Sequence, residues 1–262
     1  MLIGKPGPGL SALCHATADR IEIRGRDLTA DLMGHLTFTE YFFFLMTGSM
    51  PKDEQRFFLD LLLVAIAEHG LVPTAIAARM TYDAAPDSLQ GAVAAGILGA
   101  GTVILGTAEL CGKVLVEARE KVEAGGDPDE VVTAIAMGIA ARGEKMPGFG
   151  HPIHKEGDPR TARIFDLADR HKVSATHVDL ARRFVPAVKQ AAGKALPMNV
   201  SMPIAAVLLD LDFPAAMIKG IPLLARTAGL LAHLAEEQAR PIGFLMASKA
   251  EDAIGYDGKA PT

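Results

Sequence analysis

One short segment of the chain, residues 145–160, carries the side chains best suited to chemistry. In it His151 follows a Gly-x-Gly turn, and Arg160 follows nine residues later behind Asp158-Pro159. Glycines let backbone N–H groups approach a ligand, an imidazole exchanges protons near neutral pH, and a guanidinium matches a carboxylate. The pattern predicts a loop that binds an oxygen-rich anion. The alternative is an ordinary connector between helices, since Pro-Gly-x-Gly stretches are common in loops.

The rest of the sequence predicts helices that would hold this loop. Half of the 262 residues are apolar and only 5% are aromatic, and abundant Ala and Gly favour closely packed helices. No sustained alternation of β-branched residues indicates strands. The predicted fold class is therefore all-α. Helical periodicity predicts helices over residues 37–47, 52–68, 88–100, 102–124, 129–142, 159–171, 178–194, 201–211, 214–224 and 224–240.

Asp127 and Asp158, each followed by Pro, are predicted N-caps. The tail after Ala247 is expected to be frayed. Asp210 and Asp212 lie on different faces of their helix, and neither is a strong candidate for a catalytic acid.

Charge and cysteine content exclude several classes of protein. A net charge of −5 gives no support for a nucleic-acid partner. Cys14 and Cys111 are too few for a disulfide framework or a Cys-rich metal site, and they fit a reducing cytosol. The first residues lack the apolar core of a signal peptide, and the apolar runs 57–67 and 203–213 are too short to span a bilayer. We therefore expect a cytoplasmic protein with no metal and no membrane partner.

Several motifs together resemble the citrate synthase superfamily. Residues 147–160 match its active-site loop, which runs Pro-Gly-aromatic-or-Ile-Gly-His and ends in Asp-Pro-Arg. Residues 225–233, Ala-Arg-Thr-Ala-Gly-Leu-Leu-Ala-His, match its Arg-x-x-Gly-x-x-x-His helix, and the opening segment 21–51 is also similar. The resemblance covers nearly the whole chain. In size the chain is similar to the compact citryl-CoA lyase module, which also forms the C-terminal part of ATP-citrate lyase.

This resemblance implies a citrate synthase-like helical fold. A large domain would come from residues 1–106 and 215–262, and a small one from 107–214, with a cleft between them that closes over the substrate. The family also implies a homodimer or a tetramer of dimers.

The resemblance further implies retro-Claisen cleavage of a citryl-CoA type thioester to acetyl-CoA and oxaloacetate. His151 would take the hydroxyl proton or, in the reverse direction, polarise the oxaloacetate carbonyl. His69, Arg160 and Arg226 would bind the carboxylates. No cofactor would be permanently bound, because the CoA thioester is the substrate. The residues implied to contact CoA are Lys145, Pro147, Gly148, Phe149, Gly150 and His154.

Two positions depart from the family pattern. Ser201 stands where an Asn-Val-Asp motif supplies a catalytic carboxylate, and Ile104 stands where citrate synthases have a histidine. Serine does not replace aspartate as a proton carrier without an activating base. In the lyase hypothesis Ser201, a water or another neighbour would handle the enolate proton.

Other interpretations of single residues stay open. His69 could instead cap a helix C-terminus, and His233 is interpreted as a core or interface histidine. A buried Arg226 would need an anion, either a substrate or a structural carboxylate.

Three functional hypotheses follow. The first is a citryl-CoA lyase-like enzyme. The second is a citrate synthase-like acyltransferase that condenses, or a related enzyme that hydrolyses, another acyl-CoA. The third is a catalytically silent subunit that binds CoA or a carboxylate.

Overall fold

The computed structural model describes residues 9–151 and 153–259. The described residues form eleven α-helices and one small sheet, which confirms the all-α prediction. This description leaves out residues 1–8, on which the expected lack of a signal peptide depends. It also leaves out Pro152 of the loop motif and the last three residues of the tail. The chain divides into two compact units, of which the first ends at Asp60 and the second begins at Leu61.

The first unit contains the sheet, one complete α-helix and the beginning of the next helix, up to Asp60. Its antiparallel strands, in sheet order, are β1 (Cys14–Ala16), β2 (Ile21–Ile23) and β3 (Arg26–Asp27). A π-helical turn over Leu28–Leu32 and helix α1 (Phe38–Thr47) follow. Thr37 and Glu40 form a reciprocal capping box at the start of α1, which satisfies N–H groups that the helix leaves unpaired. Ile23, Leu32 and Phe44 form the core of this unit.

The remaining helices carry the residues of interest. In chain order they are α2 (Asp53–Ala67), α3 (Pro73–Ala84), α4 (Leu89–Leu98), α5 (Thr107–Glu123), α6 (Pro128–Ala141), α7 (Pro159–Arg170), α8 (Thr176–Ala192), α9 (Ser201–Asp210), α10 (Gly220–Ala239) and α11 (Gly243–Ala253). Within the second unit, α3 packs against α4, α10 and α11, whereas α5, α6, α7, α8 and α9 pack among themselves. The Asp127 and Asp158 side chains cap α6 and α7 as predicted.

Some predicted helix boundaries are wrong. The helix expected from residue 102 begins at Thr107, because the turn before it is closed by Gly106 N–H donating to Gly101 C=O at 2.9 Å. The two helices expected over 214–240 are one short 3₁₀ turn, Ala215–Met217, followed by the single helix α10. Sequence patterns did not predict α3 or α11, and the tail expected to fray after Ala247 is helical to Ala253.

Helix α10 contacts the end of α2 through a glycine. A Cβ at Gly229 would clash with the carbonyl oxygen of Ala67, the last residue of α2. Only glycine lets the two backbones approach so closely. Because Arg226 lies one helical turn before Gly229, this approach brings its guanidinium to the C-terminal end of α2.

Among the described residues, the segment Ala215–Ala239 has the length and apolar composition of a membrane-spanning helix. The apolar runs 57–67 and 203–213, which stand out in the sequence, are shorter than this segment. Core helices of soluble proteins meet the same criteria, and Leu230 and Leu234 of this segment belong to the buried core. It also holds the buried Arg226 and Glu237. We therefore interpret α10 as a core helix.

Candidate active site

The predicted loop is held by the segment that precedes α9. Gly150 N–H donates to Pro197 C=O at 2.7 Å, and Asn199 N–H donates to Gly148 C=O at 2.8 Å. The Asn199 side chain adds a third hydrogen bond between the two segments by donating to Gly150 C=O at 2.9 Å. Sequence reasoning noted Asn199 only as part of a motif, because this cross-loop pairing has no local pattern.

Gly148 has a packing role in this loop. Its φ is +79°, and a Cβ there would lie 2.8 Å from Cys111 Sγ and 2.9 Å from Met202 Cβ. Burial raises the pKa of the Cys111 thiol, which therefore stays protonated. The glycine lets the loop lie directly on α5 and α9, so that the next residues reach the site.

Three histidine rings meet at the end of this loop. His69 Nε2 lies 3.2 Å from His154 Nε2, and the His151 and His154 ring centroids are 4.5 Å apart. The His69 ring lies 5.4 Å from each of the other two. Two of the three were predicted on separate grounds, His151 as catalytic and His69 as substrate-binding. The structure brings them together and adds His154, which the resemblance had assigned to CoA.

Backbone hydrogen bonds set the tautomer of His151. The N–H groups of Ile153 and His154 donate to its Nδ1 at 3.1 and 3.0 Å. A neutral ring whose Nδ1 accepts carries its proton on Nε2, so that Nε2 is a donor. Burial lowers the pKa of His151, and neighbouring His154 lowers it further, so the neutral form predominates at pH 7. His151 is thus arranged to donate a hydrogen bond to an oxygen.

Arg160 lies beside this cluster in a bidentate pair with Asp158. Its Nε and Nη2 donate to the two carboxylate oxygens at 3.0 and 2.8 Å, and its Nη1 donates to Ala65 C=O at 3.3 Å. Burial alone would raise the pKa of Asp158, but the Arg160 guanidinium holds that pKa below its usual range. One face of the Arg160 guanidinium is therefore already occupied, and Nη1 is the group that points toward the end of α2.

Arg226 is buried, and among the described residues no carboxylate forms a direct ion pair with it. It is 3% exposed, its Nε and Nη1 have no partner, and its Nη2 makes a 3.4 Å hydrogen bond with Ile66 C=O. Burial lowers the pKa of this guanidinium; the Glu68 carboxylate opposes the shift without contacting Arg226, and Arg160 adds to it. A buried charge without an ion-pair partner is costly, so this arrangement favours the binding of an anion.

A polar network that was not predicted from the sequence ends at the backbone N–H of His69. Buried Arg79 is ion-paired with Glu237 and Glu236, and its Nε donates to His233 Nδ1 at 2.9 Å. His233 Nε2 lies 2.9 Å from Glu68 Oε2, and Glu68 Oε1 accepts the His69 N–H at 2.8 Å. Arg79 and His233 are 154 residues apart, so no local pattern could predict the contact.

A cavity adjoins the loop. It encloses about 750 Å³, and Ile139, Met146, Phe149 and Val188 contribute apolar lining. Three lysines, Lys145, Lys155 and Lys194, add positive charge, and His151 forms part of the wall. Of the residues predicted to contact CoA, three line this cavity, namely Lys145, Phe149 and Gly150, whereas Pro147, Gly148 and His154 do not.

Ser201 opens helix α9 immediately after the loop-binding segment. Its N–H donates to Asn199 Oδ1 at 3.0 Å, and the preceding Val200 N–H donates to Asp158 Oδ2 at 3.2 Å. Ser201 is half-buried. Its backbone thus contributes to the same local network as Asp158 and the loop.

The donor set of the histidine cluster does not fit a metal ion well. One ring nitrogen of each of His69, His151 and His154 lies within 4.8 Å of the others. However, the Nδ1 of His151 already accepts two backbone N–H groups, which leaves its Nε2 protonated and without a free lone pair. Arg160 adds positive charge to the surroundings of His69 and His151.

Comparison with known proteins agrees with this helical fold, which is that of a family of enzymes. The family model for the citrate synthase C-terminal domain matches residues 10–243, and the chain belongs to this family. "Putative citrate synthase 2" of Mycobacterium tuberculosis is 32% identical over 194 residues, which are 69% of this chain and 47% of that protein. The citrate synthase of Saccharolobus solfataricus is 26% identical over 215 residues, 79% of this chain and 55% of that protein.

The chain thus spans about half the length of the curated relatives it matches. Among solved structures it is similar to citryl-CoA lyase from Hydrogenobacter thermophilus, with a TM-score of 0.83 and 28% identity. That match covers 97% of this chain and 96% of the other. These findings confirm the predicted resemblance to the citrate synthase superfamily.

Proposed function

We propose that the chain is a carbon-carbon lyase that cleaves a citryl-CoA type thioester to acetyl-CoA and oxaloacetate. The observation that carries the proposal is the buried guanidinium of Arg226, which has no direct ion-pair partner and lies near Arg160, itself a neighbour of His69 and His151. A di- or tricarboxylate would supply the missing anion. The fold of the Hydrogenobacter citryl-CoA lyase, which matches 97% of this chain with a TM-score of 0.83, supports this reaction.

The geometry supports one of the two roles predicted for His151. Its Nε2 is a donor, so it would stabilise the alkoxide of the substrate and then the carbonyl oxygen of oxaloacetate as the C–C bond breaks. Nη1 of Arg160, the unpartnered nitrogens of Arg226, and His69 would hold the carboxylates. Fixing the orientation of a substrate in this way contributes up to about 7–11 kcal/mol of barrier reduction in well-aligned sites.

The 750 Å³ cavity supports binding of a CoA thioester. Its apolar lining would contact the adenine, and its three lysines would pair with phosphates. The cavity adjoins His151, so one loop would contact both the CoA moiety and the carboxylate part of the substrate. We propose that Pro147 and Gly148 act by shaping this loop.

Condensation is a second candidate, because the curated relatives are named as citrate synthases. The same residues would then act in the reverse direction on acetyl-CoA and oxaloacetate or on another acyl-CoA. The hypothesis of a silent binding subunit remains the alternative to both, because Ser201 replaces the family's carboxylate.

We further propose a cytoplasmic homodimer or homotetramer in which the domain of residues 107–214 closes over the cleft. The separate packing of α5 to α9 supports such a domain. Leu89, Leu98 and Leu231 are exposed on α4 and α10, and burial of these side chains against a second copy would remove apolar surface from water.

The test is turnover of citryl-CoA, and separately of acetyl-CoA with oxaloacetate, followed by mass spectrometry. His151→Ala should abolish turnover, and His171→Ala, at an exposed histidine that ends α7, should retain it. Cleavage with no condensation activity would select the lyase over the acyltransferase. If wild-type protein turns over neither set of substrates yet binds CoA, the lyase proposal fails and the silent subunit takes its place.

A further inference from the structure

The described carboxylates nearest the histidine cluster are poorly suited to proton transfer. Asp158 is held by Arg160 and by the Val200 N–H, and its pKa is lowered despite burial. Glu68 accepts the N–H groups of His69 and Gly70 and lies against His233; these contacts outweigh burial and also lower its pKa. A carboxylate that is so bonded resists taking up a proton. With Ser201 at the family's aspartate position, another group must protonate the enolate.

His154 is placed to be that group. Its ring is half-buried and lies over that of His151, with centroids 4.5 Å apart. Its Nε2 is 3.2 Å from Nε2 of His69, and in this contact one nitrogen donates while the other accepts. One transferable proton therefore lies between the two rings. It is next to His151, whose Nε2 would bind the substrate oxygen.

The position of His154 in the loop separates it from the CoA cavity. His151, Lys155 and Gly150 line that cavity, but His154 does not, and its ring contacts His69, which also lies outside the cavity lining. Its own N–H also fixes the tautomer of His151. The loop thus presents one imidazole as a fixed donor and a second as a proton carrier.

We propose that His154, paired with His69, carries the proton from the substrate hydroxyl to the methylene carbon that becomes the methyl group of acetyl-CoA. This inference rests on the proposed lyase function. The hydroxyl O–H bond breaks, its proton goes to the free lone pair of the imidazole pair, and its electrons form the carbonyl of oxaloacetate. The C–C bonding electrons form the enolate, and the pair returns one proton to the enolate carbon. The pair is neutral at the start, with one N–H on each ring, carries one extra proton and a positive charge after the first step, and is neutral again at the end.

The test measures proton transfer at carbon directly. Wild type, His154→Gln and the control His171→Gln are incubated with acetyl-CoA and oxaloacetate in D₂O, and deuterium in the methyl group of acetyl-CoA is followed by mass spectrometry. We expect His154→Gln to slow both methyl exchange and citryl-CoA cleavage by about 10²-fold or more, the usual contribution of an acid–base group. Its Kd for CoA should be unchanged, because His154 lies outside the cavity.

A second variant separates catalysis from structure. His154→Ala leaves room for a small base, and added imidazole should restore part of its methyl exchange, whereas His151→Ala should not be rescued. His154→Gln with wild-type exchange, or His154→Ala that imidazole does not rescue, would overturn the assignment. If wild type itself turns over no citryl-CoA, the proposed function fails first and this inference falls with it.

Discussion

Replacing Arg226 should make the protein more stable while it destroys carboxylate binding. In Arg226→Met, a buried cation without a direct ion-pair partner becomes an apolar side chain of similar length. The substitution removes the long 3.4 Å hydrogen bond from Nη2 to Ile66 C=O. Exchange of a buried ionic group for a hydrophobic one is neutral or stabilising by about 1–4 kcal/mol, and a hydrogen bond contributes about 0.5–1.5 kcal/mol. We expect the free energy of unfolding to rise by about 1–3 kcal/mol.

Arg79→Met is the matched control. Arg79 is buried to a similar degree, but it is paired with Glu236, Glu237 and His233. Its loss leaves the carboxylate of Glu237 buried without its partner, which typically costs about 3–5 kcal/mol. The two substitutions are chemically identical. If they change the free energy of unfolding in opposite directions, the difference reports whether the guanidinium is paired.

Thermal unfolding with and without oxaloacetate is the assay. One kcal/mol corresponds to about 2–4 °C in Tm for proteins of up to about 250 residues, so Arg226→Met should melt about 2 °C or more above wild type. It should lose the rise in Tm that oxaloacetate gives wild type, since removing one partner of a buried charge pair costs about 2–5 kcal/mol, or roughly 30-fold or more in Kd. A fall in Tm similar to that of Arg79→Met would refute the reasoning, because it would mean that Arg226 is paired within the protein.

Three further predictions concern other parts of the site and its scaffold. Ser201→Asp should lower native turnover, because a second carboxylate beside Asp158 repels an anionic substrate; a gain of activity from an inactive wild type would instead support the silent subunit. Asp210→Ala should lower the free energy of unfolding by about 3 kcal/mol or more in urea titrations, because Asp210 accepts three N–H groups at the start of α8 and contacts His177 Nδ1 at 2.8 Å; a change below about 1 kcal/mol would contradict this role. In the proposed mechanism neutral His151 is the active form, and its pKa is lowered, so kcat/KM should be constant near pH 7 and fall only below the ordinary histidine value of about 6.5; a fall that begins above that value would contradict the assignment.

Asp210 also contributes a defined pH dependence of stability. Burial alone would raise its pKa, but the hydrogen bonds from His177 and from the backbone N–H groups lower it. A carboxylate with a lowered folded-state pKa stabilises the protein above its unfolded pKa of about 3.9, and this stabilisation is lost as the pH falls through the folded value. The contribution should therefore be complete at neutral pH and disappear only in strong acid. Asp210→Asn should reduce the loss of stability between neutral pH and acid.

Features that depend on neighbouring residues could be predicted from the sequence. The caps of α6 and α7, most helices and the glycine turn of the loop follow from local hydrogen bonding and periodicity. The resemblance of residues 225–233 to the family's Arg-x-x-Gly-x-x-x-His helix likewise indicated a helix at this position. Helix α11 was missed because its position depends on a tertiary contact, in which Gly243 lies against Asp83 of α3.

Only the tertiary structure decided which of these residues act together. The His69–His154 contact joins positions 85 residues apart, and Asp210 caps a helix that begins 34 residues earlier along the chain, at Thr176. The tautomer of His151 depends on backbone N–H groups that only the folded loop directs at it. Residue types and spacing therefore determined the helices, the loop and the family, because those depend on local interactions. The ion pairs and hydrogen-bond partners of the site could not be predicted from the sequence, because they depend on which side chains the fold brings close together in space.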